Sequence, residues 1–300
     1  MTPAHPATEG RNPRTLDIDA VPSAEALEMV LREDAVAIDA SRAAVPELAR
    51  LVDRAVERLQ GGGQIHYAGA GASGRLAVLD ATETTPTFGV DPELIHAHFP
   101  GGASALVDST IDLEDAFDQG RLDLADVAEV DLVIGVTASG HTAYVRGALQ
   151  AARTIGAATA LVTSNRESPI AELADIVVAA DTGPEALTGS TRLKAGTATK
   201  VILNAFSTAV MIGTGRSYSN LMVGLVASNE KLRQRSTALL TEATGRPQPE
   251  CQEMLAECSG RLPLALTRML SGVTGEAAEE ALARGGSVRS ALRLVQDGRE

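Results

Sequence analysis

Tryptophan is absent from this chain, aromatic residues make up 2% of its 300 positions, and cysteine occurs twice. With so few aromatic faces, stacking platforms for bases or sugar rings are scarce, and packing must rest on Ala, Val, Leu and Ile. The spacing of Cys251 and Cys258 fits neither a zinc knuckle nor a CxxC redox pair, so both read as reduced packing residues on a helix. Basic residues are the minority: 26 Lys and Arg face 39 Asp and Glu, for a formal net charge of −13 with no basic cluster. That argues against a nucleic-acid or anionic-membrane partner. An anionic ligand would have to be held by local N–H groups and hydroxyls. No apolar run approaches the ~20 residues that span a bilayer, and the N-terminus, MTPAHPATEGRNPRT, lacks the basic-then-apolar layout of a secretory signal. A cytoplasmic protein is the expectation.

What is present suits one large α/β domain with an accessory segment. Hydrophobic residues make up 44% and the mean hydropathy is +0.04, enough to build a sizeable core. Residues 1–22 are polar and read as a frayed leader. Over 23–59 apolar residues recur at helical spacing and predict two helices. Short Val/Ile/Leu runs at 64–68, 93–98, 131–136, 159–163 and 175–179 predict five strands, with helices between them that include one over 104–117. Such alternation reads as a three-layer α/β/α, doubly wound parallel sheet. Residues 193–211 and 219–240 read as long helices, and TGRPQP at 244–249 is the clearest break. The expected domains are therefore the leader, an α/β domain over 23–243, and a small three-helix bundle over 244–300.

The stretch 61–90 organises the rest: a strand, the turn GAGASG at 69–74, then a helical pattern ending at Pro86. A glycine turn between a strand and a helix start presents unpaired N–H groups and a positive dipole end, a site for an anion and most often for phosphate. The turn also spells GxGxxG, the dinucleotide fingerprint. That reading wants an acidic residue closing the next strand, where this chain has His-Phe-Pro-Gly-Gly at 98–102. A monophosphate is favoured, and a purely structural turn stays open.

Two further loops have the same character: TASGHT at 137–142 and TGSTR at 188–192. Together the three could wrap one phosphate in N–H and O–H donors without a metal. The candidate ligands are Gly71, Ser73 and Gly74, then Ser139, Gly140 and Thr142, then Ser190, Thr191 and Lys194. Lys194 and Arg192 lie at a helix start, where positive charge opposes the dipole, so a nearby anion is expected. His66 reads as a core residue, Asp80 as structural, and Glu185 as either structural or site-lining. His141 could donate to a ligand. His96 and His98 alternate along one strand without an evident third metal ligand.

The three loops resemble those of the sugar isomerase (SIS) domain, a three-layer α/β/α sugar-phosphate binder. TEGRN at 8–12, GAGASGRLAVLDATETTPTFGV at 69–90, TASGHTAYV at 137–145, GSTRLKAGTATK at 189–200 and NEKL at 229–232 resemble, in order and spacing, the N-acetylmuramic acid 6-phosphate etherases. The resemblance spans nearly the whole chain. It implies a lyase that removes the D-lactyl ether from N-acetylmuramic acid 6-phosphate in cell-wall sugar recycling, working as a homodimer without metal or organic cofactor. It also implies that Glu83 and Glu114 are the acid/base pair. From the residues alone, Glu83 is a solvated helix-end residue and Glu114 part of an acidic solvated face. Five residues in three motifs depart from the family pattern. Ala72 replaces a threonine, His141 and Ala143 stand where arginine and proline are usual, and Thr84-Thr85 precede Pro86 in place of Cys-Pro. If the helix after the turn is unbroken, Glu83 lies nine residues and ~13 Å beyond Gly74, farther than a phosphosugar's C3 should lie from its own phosphate. Either the helix ends early or Glu83 serves a neighbouring subunit. A sugar-phosphate-sensing regulator and an aldose–ketose isomerase are the rival functions.

Overall fold

The computed structural model describes residues 7–225 and 229–298. The chain divides into two compact units, one holding residues 1–82 and 93–207, the other 83–92 and 208–300.

In the first unit, α1 (Ser23–Ala43) and α2 (Val45–Gln60) form the predicted helix pair. Five parallel strands follow in sheet order β2-β1-β3-β4-β5, namely β1 (Ile65–Gly69), β2 (Ile95–His98), β3 (Leu132–Thr137), β4 (Ala158–Thr163) and β5 (Ile176–Ala179). Every residue of β1, β3 and β4 is buried, as a sheet covered on both faces requires. On one face Ala68, Val133 and Leu161 pack against Leu124 and the apolar side of α6 (Ala143–Ile155). On the other, Tyr67 meets Phe206 edge-on at 6.3 Å. Phe206 belongs to α7 (Lys194–Gly213), and α3 (Gly71–Phe88) follows β1.

Several elements differ from the sequence-based expectation. The leader is not frayed over its described part, residues 7–22. Thr8 is fully buried, Asn12 donates to the Pro184 carbonyl at 3.1 Å, and Thr15 donates to the Ala186 carbonyl at 2.8 Å. Its first six residues lie outside the described set. The helix expected over 104–117 is only α4 (Gly102–Val107), followed by an irregular stretch and α5 (Phe117–Asp123). Asp108 accepts from the Thr110 amide at 2.9 Å, and Asp112 accepts from the Glu114 amide at 3.2 Å. Such local side-chain bonds compete with the helical ladder and win here. The helix α3 does not stop at Pro86 but carries it inside and closes two residues later, with Gly89 at φ 62° donating to the Thr85 carbonyl. Among the described residues, α7 is long and apolar enough over its 20 residues to cross a membrane by length and composition, which no sequence run had suggested. Half of that stretch is buried within the fold, and it opens on a buried lysine, so we read it as a core helix.

In the second unit, the helix expected over 219–240 is preceded by a hairpin, β6 (Ser217–Tyr218) and β7 (Leu221–Met222). The Ser219-Asn220 turn, with Ser219 at φ 54°, has the chemistry of a two-residue hairpin. Residues 226–228 of that expected helix lie outside the described set. Next comes α8 (Glu230–Thr244), capped by the Asn229 side chain. The tail holds four helices, not three: α9 (Gln248–Glu257), α10 (Leu262–Ser271), α11 (Gly275–Gly285) and α12 (Val288–Asp297). The overlooked corner is Ser259-Gly260, both at positive φ. Cys251 and Cys258 are free and buried in the core of this unit.

The buried histidine of β1 carries a prediction. His66 Nδ1 lies 3.0 Å from His98 Nε2, and its ring stacks on His96 with centroids 4.9 Å apart. Among the described residues no group of three or more His, Cys, Asp or Glu could hold a metal ion. Burial, then the neighbouring His98, pushes the His66 pKa down to about 4 from 6.5, with Asp131 opposing. The unfolded chain therefore binds the extra proton first, so the stability that depends on neutral His66 is full above pH 6.5 and drains toward pH 4. The stability gap between the wild type and His66→Gln should widen as pH rises through that window. Denaturant midpoints at stepped pH test it, and a gap independent of pH would refute it.

Candidate active site

The sheet order reverses between β1 and β3: the chain goes from β1 outward to β2, then returns to β3 on the other side. Ligands of open α/β sheets bind beyond the carboxyl ends of the strands at such a switch point. The loops leaving those two strands are 70–74 and 138–142, two of the three hydroxyl-bearing turns.

The first loop is shaped by close backbone approach. A β-carbon on Gly69 would lie 2.9 Å from the Gly74 α-carbon, and one on Gly74 would strike the Gly69 carbonyl. Gly71 holds φ 54°, which favours glycine. The first helical bond runs from Gly74 N to Ala70 O at 2.9 Å. The amides of Gly71, Ala72 and Ser73 thus stand ahead of the ladder at the positive end of an 18-residue helix. Ser73 is half-buried.

Glu114 is brought to this turn. It sits in the irregular stretch between α4 and α5, and its carbonyl accepts from the Tyr144 amide at 3.0 Å, which docks the stretch on the first turn of α6. Its carboxylate lies over the Gly71 α-carbon, where any β-carbon would collide with Oε1. The residue is exposed overall. Desolvation of the carboxylate, then Asp112 and Asp115, nonetheless raise its pKa, and Arg75 pulls the other way. Arg75 was missed in the sequence. Its guanidinium donates to the Leu106 and Ala105 carbonyls at 2.8 and 2.9 Å and lies over the Phe99 ring at 5.2 Å. The only signal was its place directly after Ser-Gly in the turn.

The second loop is held from below. Thr137 and Thr142 hydroxyls are 2.8 Å apart, the Gly140 amide donates to Thr137 Oγ1 at 3.2 Å, and Ser168 donates to the Gly140 carbonyl at 2.7 Å. The Ser139 carbonyl accepts from Asn165 Nδ2 at 2.9 Å and also faces His141 Nδ1 at 2.9 Å. His141 itself is exposed.

The third loop differs. Ser190 and Thr191 are half-buried, and Gly189 lies beside the N-terminal segment, where a β-carbon would be 3.3 Å from Glu9 Oε2. Lys194 does not answer an external anion, as its position had suggested. It is fully buried, and its Nζ donates to Glu33 Oε2 at 2.5 Å. The helix start is met by Glu185, whose two oxygens accept from the Lys194 and Ala195 amides at 3.0 Å each. Glu185 is therefore a cap on α7, and the charges that explain Lys194 belong to the chain. Asp80 is structural in the same sense, accepting from the Tyr67 and Ser207 hydroxyls at 2.9 Å each. Glu83 lies exposed on α3.

Comparison with known proteins gives a concordant picture. Residues 47–153 match the family model for the glucokinase regulatory protein N-terminal SIS domain, and 112–209 match the SIS domain. An N-acetylmuramic acid 6-phosphate etherase from Thermobifida fusca is 51% identical over 88% of this chain and 87% of its own length. The chain belongs to the N-acetylmuramic acid 6-phosphate etherase family. Another family member, from Salmonella schwarzengrund, is 44% identical over 95% of this chain and 97% of its own length. A solved phosphoheptose isomerase from Francisella tularensis is a more distant likeness, 16% identical with a TM-score of 0.49 over 63% of this chain and 98% of that one. Ala72 is half-buried in the first turn and leaves Ser73 as that turn's hydroxyl. The histidine at 141 turns toward its own loop's backbone.

Proposed function

We propose that this protein is a lyase that removes D-lactate from N-acetylmuramic acid 6-phosphate, leaving N-acetylglucosamine 6-phosphate, in cell-wall sugar recycling. The observation that carries the reading is the seat of the Glu114 carboxylate on the Gly71 turn, where a phosphosugar would be pinned. Opening the sugar ring gives an aldehyde at C1, which makes the C2 hydrogen acidic, and the lactyl ether sits at C3. Glu114 takes the C2 proton as base. A raised pKa suits that task, since a stronger base near operating pH transfers the proton more readily. Glu83 protonates the ether oxygen, so that lactate leaves as the C2–C3 double bond forms. Water then adds at C3, with the pair in reversed roles. Ser73, Ser139, Thr142, Ser190, Thr191 and the turn amides of Gly71, Ala72 and Ser73 hold the phosphate and the sugar hydroxyls, while Gly74 and Gly140, whose amides bond within the fold, shape the two turns. No metal or organic cofactor is needed for these steps.

Glu83 follows Gly74 by nine residues on an unbroken helix, a rise of ~13 Å. That length supports a homodimer in which Glu83 serves the partner's phosphate turn. Mixing Glu83→Ala with Glu114→Ala protein should restore activity in one of the two sites of each hybrid. Silence in the mixture, with dimer exchange shown by mass, counts against sharing.

The test of the reaction itself uses heavy-oxygen water. Lactate release with the label at C3 of the product supports the lyase. Label retained on lactate, or binding of the substrate without turnover, overturns it.

A further inference from the structure

Two helix starts in the first unit are each faced by a carboxylate of the chain, and the two are built differently. At α7, Glu185 is fully buried and both its oxygens are taken by amides at 3.0 Å. At α3, Glu114 comes from an exposed, irregular stretch tied down through its backbone at Tyr144 N and Asp112 Oδ1. Its carboxylate lies on the α-carbon side of Gly71, the first residue of α3, where a β-carbon would collide with it. The first is a permanent cap. The second is an anion set against the turn that, on the function proposed above, receives another anion.

The charges around Glu114 make this consequential. From its own stretch Asp112 and Asp115 face it, both negative. From α3 only Arg75 offsets them, and its guanidinium is already committed to the Ala105 and Leu106 carbonyls. A phosphate dianion bound at residues 71–74 therefore arrives next to a carboxylate with little positive charge to spare. Like charges at this range disfavour each other's ionised form.

We propose that phosphate binding at the Gly71 turn and proton binding at Glu114 are coupled: the arriving dianion raises the proton affinity of Glu114, so that a larger fraction carries a proton and the fraction left ionised is a stronger base. The substrate's own phosphate thus tunes the neighbouring carboxylate and sharpens it as a base once the sugar is in place, while the empty enzyme keeps it more acidic. By linkage the coupling is reciprocal, so Glu114 in its charged form weakens phosphate binding. The inference rests on the phosphate reading of the turn.

Calorimetric titration of the whole protein with inorganic phosphate, in buffers of differing ionisation enthalpy, separates the two. The wild type should take up protons on binding beyond the amount seen with Glu114→Gln, which subtracts phosphate's own titration. Glu114→Gln should bind phosphate about tenfold more tightly near neutral pH, the size expected when one of two close anions is removed. Glu114→Asp keeps the charge but withdraws it by one methylene, so its affinity should fall between the two. Should both variants and the wild type bind equally with no extra proton uptake, the coupling is wrong and the phosphate site stands. If none of the three binds phosphate, the phosphate reading itself falls, and the coupling with it. Matched thermal melts confirm that each variant is folded.

Discussion

Glu114→Gln should lower the rate of lactate release between about a hundredfold and ten-thousandfold, the range that general base catalysis supplies. The substitution keeps the shape of the side chain over Gly71 and removes its ability to accept the C2 proton. The loss should fall on kcat, because the amide still fills the space in front of the turn and no charge is left there to repel the phosphate. Binding of the intact substrate should persist or tighten. Exchange of the C2 hydrogen with solvent is the sharper readout: the wild type should exchange it, and the variant should not. A variant that exchanges C2 normally yet fails to release lactate would move the base to another residue and return Glu114 to the leaving-group side. A variant with the native rate would leave only a generic sugar-phosphate pocket.

Much of this arrangement can be read from the chain. Runs such as LVIGV and ATALV are almost wholly apolar because both sheet faces are covered, so strand, parallel class and order of elements follow from them. The glycine turn at 69–74 is legible for a similar reason: Gly69 and Gly74 approach each other's backbone so closely that no side chain fits. What could not be read depends on contacts between distant positions. Lys194 looks like an anion ligand because local helix polarity is visible in the sequence, whereas Glu33, 161 positions earlier, is not visibly its partner. Glu114 reads as solvated acidic surface. Only the docking of its backbone on Tyr144 brings it to Gly71. The irregular stretch around it was hidden by apolar spacing, since Asp108 and Asp112 bond locally and break a helix that hydrophobicity favours. The hairpin at 217–222 was masked in the same way by the helical pattern on either side of it.

The pair that misled the sequence reading should also dominate stability. Lys194 has no exposed side-chain surface, and Glu33 keeps 4% of its own. Glu33→Ala strands the ammonium in the fold without a partner, a change that costs about 3–5 kcal/mol. Removing Arg14 is a different matter. It also bonds Glu33, at 2.5 and 2.8 Å, but its side chain is 58% exposed. Solvent screens that pair, and Arg14→Ala should cost under about 1 kcal/mol. The decisive comparison is the double variant Glu33→Ala with Lys194→Met, which takes out both charges and should recover most of the loss, because a buried pair replaced by apolar groups is near neutral. Acid titration gives a second reading. The Arg14 contact, aided by Lys194, holds the Glu33 pKa at about 2, below its ordinary 4.5. The contribution is therefore complete above pH 4.5 and drains as pH falls toward 2, with the folded state resisting the proton that the unfolded chain accepts. Denaturant midpoints of the four proteins from pH 2 to 7 measure both effects. If Glu33→Ala is as stable as the wild type at neutral pH, the ammonium has found water or another acceptor, and the pair does not hold α7 to α1.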